Sequence, residues 1–191
     1  MMRARAYGIL RGLSEKTARG AEDATAMLVA GKKRLDVELR RLRGDAEGDL
    51  RALSELMMEG GLATVEQTLM LRLAGELCEV LECALEAAVL LRGRCVRAWG
   101  IFDRVRASSS LTRQLCALTT WPRGDESSMR IGIREFHEDS LRLSAQSLQG
   151  FEELLGGEES STALLLFGVL DRWRARLNGA YTCAVALLCA R

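Results

Sequence analysis

Proline is almost missing from this chain of 191 residues, where Pro122 stands alone. The sequence also holds one asparagine, Asn178, one histidine, His137, and only two tyrosines, Tyr7 and Tyr181. Tight turns draw on proline and asparagine, and strands on aromatic and β-branched residues, so little material remains for a sheet. Leu, Ala, Arg and Glu take the space, and all four favour helix. A lone imidazole leaves no His-rich metal set and no plausible triad order around His137. The glycines are scattered, with neither GxGxxG after a strand nor GxxxxGK[ST], which excludes the familiar phosphate-cradling loops. No apolar run approaches the ~20 residues of a membrane-spanning helix, and the start lacks the apolar stretch of a secretory signal.

Lysine is scarce as well: Lys16, Lys32 and Lys33 are the only three among 27 basic residues. Nearly every positive charge is therefore a planar guanidinium that can fork onto phosphate or carboxylate. The net charge is +1, which gives no polyanion signature and no expectation of a nucleic-acid partner. The six cysteines (Cys78, Cys83, Cys95, Cys116, Cys183 and Cys189) form no CxxC pair and sit in apolar helical stretches. That pattern reads as reduced core thiols of a cytosolic protein. With no nucleophile and base, no metal set and no phosphate loop, the expectation is a non-enzymatic protein without a cofactor or bound metal. Arg-Gly-Asp at Arg43-Gly44-Asp45 and Arg123-Gly124-Asp125 admits an adhesion reading, but an arginine-rich chain reaches this tripeptide easily by chance.

Two interruptions, Glu59-Gly60-Gly61 and the stretch from Thr119 to Ser128, divide the chain into three segments. Leu28, Leu35, Leu39, Leu42, Leu50, Leu53 and Met57 mark one helical face of the first. Val65, Leu69, Leu73, Leu77, Val80, Ala84, Leu91, Cys95, Trp99 and Phe102 mark the second, which as one helix would approach ~80 Å. Met129, Ile133, Phe136, Leu143, Phe151 and Leu154, then Leu166, Leu170, Trp173, Leu177, Ala184 and Leu188, mark the third, with a kink expected at Gly156-Gly157. The spacing predicts an all-α fold with helices over about 17–58, 63–118 and 127–190. Such lengths point to an elongated antiparallel three-helix bundle whose uncovered stripe seats a partner chain. Leu77, Leu91, Trp99, Phe102, Phe151 and Trp173 are the expected core and dimer residues.

Residues 1–16 form a separate amphipathic unit on this reading. Ile9, Leu10 and Leu13 share a face with Met2 and Ala6, while Arg3, Arg5, Arg11 and Lys16 lie elsewhere, the pattern of a helix lying in a membrane interface. The same residues are open to two other readings, the start of the first long helix or a mitochondrial targeting sequence. Lys32, Lys33 and Arg34, followed by Arg40, Arg41 and Arg43, make a second basic cluster. In an antiparallel rod, Arg104, Arg106 and Arg113 would approach Arg130, Arg134 and Arg142, giving a stripe suited to an anionic bilayer at up to ~1 kcal/mol per charge, and Arg123 is assigned to membrane contact as well.

The stretch 77–115, with Arg94, Arg97, Trp99 and Phe102, resembles the second helix of the BAR domain of sorting nexins, where a basic residue, a short spacer and two aromatics three apart recur. The third segment, with Phe151-Glu152 ahead of a long amphipathic run, is similar to that family's last helix. The resemblance covers roughly residues 14–190, the part that follows the PX domain in such proteins. It implies a crescent-shaped homodimer or heterodimer with a related BAR protein, a basic concave face on anionic endosomal membrane, and a peripheral cytoplasmic location in protein transport. The alternative is a membrane-free helical protein-interaction scaffold. Leu39 to Asp45 also resembles the helical death motif of Bcl-2 relatives, although Leu39 and Leu42 fall either side of that motif's leucine register.

Overall fold

The structure is a computed structural model, and it describes residues 2–30, 35–91, 100–119, 126–155 and 161–189. Side chains 28–30, 35–36, 91 and 148–155 lie outside the description. The described residues form six helices: α1 (Met2–Ala30), α2 (Leu35–Met58), α3 (Thr64–Leu91), α4 (Ile101–Thr119), α5 (Glu126–Leu155) and α6 (Ser161–Cys189). The fold they make is all-helical, as the composition leads one to expect. Each of the three long segments expected from the periodicity is a pair of helices. A single rod-like helix over 17–58 is ruled out because α1 and α2 pack side by side, and residues 1–16 are the first half of α1, not a separate unit.

Local chemistry marks several of the ends. Gly60 and Gly61 take φ of 77° and 100°, the left-handed conformation that terminates a helix cheaply only at glycine. The Gly60 amide donates to the Met57 carbonyl at 3.2 Å, closing the last turn of α2. Gly100, at φ 81°, begins α4, and its carbonyl accepts from the Arg104 amide at 3.0 Å. Asp103 in that first turn complements the helix dipole.

Helices α1, α3, α6 and α4 form a closed ring, each packing on the next, with α3 against α6 the most extensive pairing. Outside it, α2 covers α1 and α3, and α5 covers α4 and α6. Exchanging α1 with α4, α2 with α5 and α3 with α6 leaves every one of these packed pairs in place. The sequence follows the same exchange at a nearly constant offset. Met70, Leu73, Ala74, Leu77, Leu81, Ala84, Ala87 and Ala88 of α3 correspond to Leu166, Val169, Leu170, Trp173, Leu177, Ala180, Cys183 and Ala184 of α6, and all are buried. Ala6, Leu10, Leu13, Ser14, Thr17 and Ala21 of α1 correspond likewise to Ile101, Val105, Ser108, Ser109, Thr112 and Cys116 of α4, again all buried.

Two buried threonines make the correspondence concrete. The Thr17 hydroxyl is 2.9 Å from the Leu13 carbonyl one turn back and 3.3 Å from the Leu77 carbonyl of α3. Its counterpart Thr112 donates to the Ser108 carbonyl at 2.8 Å and accepts from the Trp173 indole N–H at 3.1 Å. Leu77 and Trp173 are themselves counterparts. The fold is thus two three-helix units facing each other about an approximate two-fold, and the surface that a dimer of either unit would need is filled within one chain.

Trp173, completely buried, and Phe102, 41% exposed, carry very different energies despite their grouping as core aromatics. Trp173→Ala is expected to cost about 3–5 kcal/mol, and Phe102→Ala well under ~1 kcal/mol. Urea unfolding midpoints of the two variants against the parent measure the difference.

Candidate interaction site

The residues proposed for membrane contact are dispersed by this fold. Leu10 and Leu13, the apolar face of the supposed wedge, are 2% and 0% exposed and lie in the bundle core, with Ile9 packed half-buried against it. That apolar face is spent on α3 and α4, which corrects the interfacial reading. Arg3 reaches Glu66 at 2.7 Å, with the Tyr7 hydroxyl donating to the same carboxylate at 3.4 Å. Arg5 is exposed, and Arg11 pairs with Glu15 at 3.0 Å.

Arg104 is a second correction. Only 6% exposed, it donates to the Gln146 carbonyl, and its guanidinium lies 4.5 Å over the Phe167 ring. It ties α4 to α5 and α6 and presents no charge to a bilayer. Its expected neighbours in the stripe stay at the surface, partly paired. Arg113 faces Glu22 of α1 at 3.9 Å and Arg134 faces Glu138 at 3.8 Å, while Arg106 and Arg130 are exposed on different helices. Lys32, Lys33, Arg34, Arg123 and Trp99 lie outside the described residues, as do the side chains of Leu91 and Phe151. Leu77 and Trp173 are buried core, as the periodicity predicts.

A different surface gathers what the sequence scattered. Cys78 Sγ lies 3.7 Å from the Ala46 carbonyl and Arg43 lies 2.7 Å from Glu82, so α2 runs antiparallel to α3. Arg176 lies 3.5 Å from Glu76 and Arg172 pairs with Glu86, so α6 is antiparallel to α3 too. Helices α2 and α6 flank α3 without extended contact between them, and over the second half of α3 they leave a groove of about 700 Å³. Leu85, Glu86 and Val89 form its floor, Arg40 and Arg43 one wall, and Leu164, Leu165, Gly168 and Arg172 the other.

Val89, Leu164 and Leu165 are 42%, 43% and 60% exposed within this one groove. Single exposed apolar residues are ordinary, but a cluster in a concavity marks an interaction surface. The lining is mixed at one end, where burial pushes the Glu82 carboxyl up from its ordinary range even though Arg43 pulls the other way. Glu82 Oε2 is buried and, despite the nearby guanidinium, accepts no hydrogen bond.

The two-fold supplies an internal control. The counterparts of Leu85, Glu86, Leu164 and Gly168 are Tyr181, Thr182, Thr68 and Arg72. Tyr181 stacks on Phe136 of α5 with centroids 4.5 Å apart, and its hydroxyl donates to the Ile133 carbonyl at 3.3 Å. The Ser140 hydroxyl donates to Asn178, the counterpart of Glu82, at 2.8 Å. The match is partial, since Val89 and Leu165 answer to Val185 and Leu69, but Thr68 and Arg72 stand where Leu164 and Gly168 line the groove, and Tyr181 is fastened to α5.

Sequence reasoning missed most of this lining, having placed Arg40 and Arg43 in a basic run and given no role to Val89, Leu164 or Leu165. One signal was present: three consecutive leucines, Leu164 to Leu166, cannot all face one core from a single helix. Among the described residues, no group of His, Cys, Asp and Glu is placed to hold a metal ion, and no helix is long and apolar enough to cross a membrane. Comparison of the chain with family models, with curated proteins and with solved structures returns no match.

The thiols lie apart from the groove mouth and have a separate chemistry. Burial pushes Cys78 and Cys83 up to about 11 and Cys116 up to about 12, so almost none of their thiolate exists near neutrality. Cys189 is exposed. At pH 8, iodoacetamide is expected to alkylate Cys189 well ahead of Cys78, Cys83 and Cys116, which should react only as denaturant opens the bundle; peptide mapping over time gives the order.

Proposed function

We propose that the chain is a helical protein-interaction module that works through the groove between α2, α3 and α6. The observation that carries this reading is the clustering of Val89, Leu164 and Leu165, exposed in a concavity. A groove of about 700 Å³ lies in the size range of surfaces that bury a ligand or partner segment. Its lining brings together no nucleophile with a base, so binding is the activity it supports.

The competing reading is a dimeric curvature-sensing module on anionic endosomal membrane. It draws on the exposed Arg5, Arg106, Arg130 and Arg134, but it loses Leu10, Leu13 and Arg104 to the interior. Exposed pairs such as Arg134 with Glu138 also leave little unbalanced charge for phosphate.

The two readings part in one co-sedimentation experiment with anionic vesicles of two diameters at low and high salt. The protein is expected to stay in the supernatant throughout, with the double variant Arg106→Glu, Arg130→Glu behaving like the parent. A photo-crosslinker at position 165, in a mixture of extract and vesicles, is expected to join to protein and not to lipid. Salt-sensitive pelleting that favours small vesicles, lost in the double variant, would overturn the interaction reading in favour of the membrane.

A further inference from the structure

The lining of the groove restricts what can fill it. Floor and walls are helices, whose backbone groups are bonded within each helix except in the last turn of α3 and the first turn of α6, so no strand edge is on offer. An extended peptide laid there would bury its own N–H and C=O groups without partners, at about 1–3 kcal/mol each. A helix arrives with those bonds made. Resting on the interaction reading above, we infer that the occupant is a single amphipathic helix of a partner protein whose apolar stripe is flanked by carboxylates.

The size of the site sets the length engaged. Floor residues run from Glu82 to Leu90 and the α6 wall from Leu164 to Arg172, about two turns or ~12 Å in each case. The occupant therefore seats anchors at i, i+3 or i+4, and i+7. Gly168 provides the close approach. A Cβ built there meets nothing within 4 Å, so no internal contact demands glycine, yet glycine inside a helix costs about 0.5–1 kcal/mol relative to alanine. What the missing side chain leaves is room on the groove wall, and its counterpart on the other flank is Arg72.

Charge chooses the flanks. Arg40 and Arg43 stand on one wall and Arg172 on the other, all exposed. Glu47 and Glu82 pair with Arg43 and Glu86 pairs with Arg172, but a guanidinium carries five N–H donors and a carboxylate engages at most two. Guanidinium edges thus border the apolar floor on both sides. Carboxylates on the occupant's flanks meet them, and lysines there meet like charge.

The test uses three synthetic helical peptides titrated into the full chain by fluorescence anisotropy. All carry the same leucines: one on a single face with glutamate flanks, one on a single face with lysine flanks, and one with glutamate flanks and the leucines spread around the wheel. The first is expected to bind at least about tenfold tighter than the other two, and to weaken with salt. Gly168→Leu fills the open space while removing a helical glycine, so it should keep or raise Tm and weaken that binding at least about tenfold. Equal affinity for glutamate and lysine flanks overturns the charge assignment, and unchanged binding in Gly168→Leu overturns the site. If no peptide binds but sedimentation shows self-association lost in Leu165→Glu, the occupant is a second copy: the inference fails and the interaction reading stands. No peptide binding and no Leu165-dependent association overturn both.

Discussion

The pairing of α3 with α6 is the constraint on which the rest of the structure depends. Each helix presents a nearly continuous small and apolar face, with Ala84, Ala87 and Ala88 on one and Ala180, Cys183 and Ala184 on the other. Small residues let two helices lie close along a long contact. Once they do, α1 and α4 can close the ring only from the opposite side, and α2 and α5 are left to cover the outer flanks. At the ring's edges the close fit is visible at Gly20, where an added Cβ would run into the Leu81 side chain and would stand 3.6 Å from Leu39, so α1 sits against α3 with no room for a larger residue.

The same arrangement leaves the two flanks unlike. In both units an outer helix leans on the central pair. On one flank Tyr181 stacks on Phe136 of α5 and Arg72 stands exposed. On the other, Val89, Leu164 and Leu165 keep apolar area exposed, at a solvation cost of roughly 25 cal/mol per Å². A scaffold with near-symmetric packing thus carries flanks of different chemistry.

Helical class was legible in the sequence because composition and periodicity agree, and Gly60-Gly61 was recognised as a break, where the backbone takes positive φ. Helix number was not legible. Leu28 and Leu35 keep the apolar period across Gly31, and a period carries no information on whether a chain continues or doubles back, since both arrangements turn the same face inward. Leu10 and Leu13 illustrate the same ambiguity: an apolar stripe fits a bilayer or a bundle equally well, and only the neighbouring helices decide. The groove was harder still. Val89 obeys helical spacing like any core residue, and its exposure follows from a gap between α2 and α6, elements far apart in the sequence. The repeat was hidden by chemistry, because Leu77 answers to Trp173 and Leu13 to Ser108, pairs that share burial but not identity.

The two-fold also bears on how the chain is made. Synthesis runs from the N-terminus, and α3 is complete long before α6 exists, so the first three helices leave the ribosome with the face of Leu73, Leu77, Leu81 and Ala84 uncovered. The contacts that bury it join residues on opposite halves of the chain, the type of long-range pairing that slows folding relative to local helical hairpins. During that interval the first unit carries an uncovered apolar face, the feature that makes incompletely folded chains prone to association, until the second unit arrives to bury it.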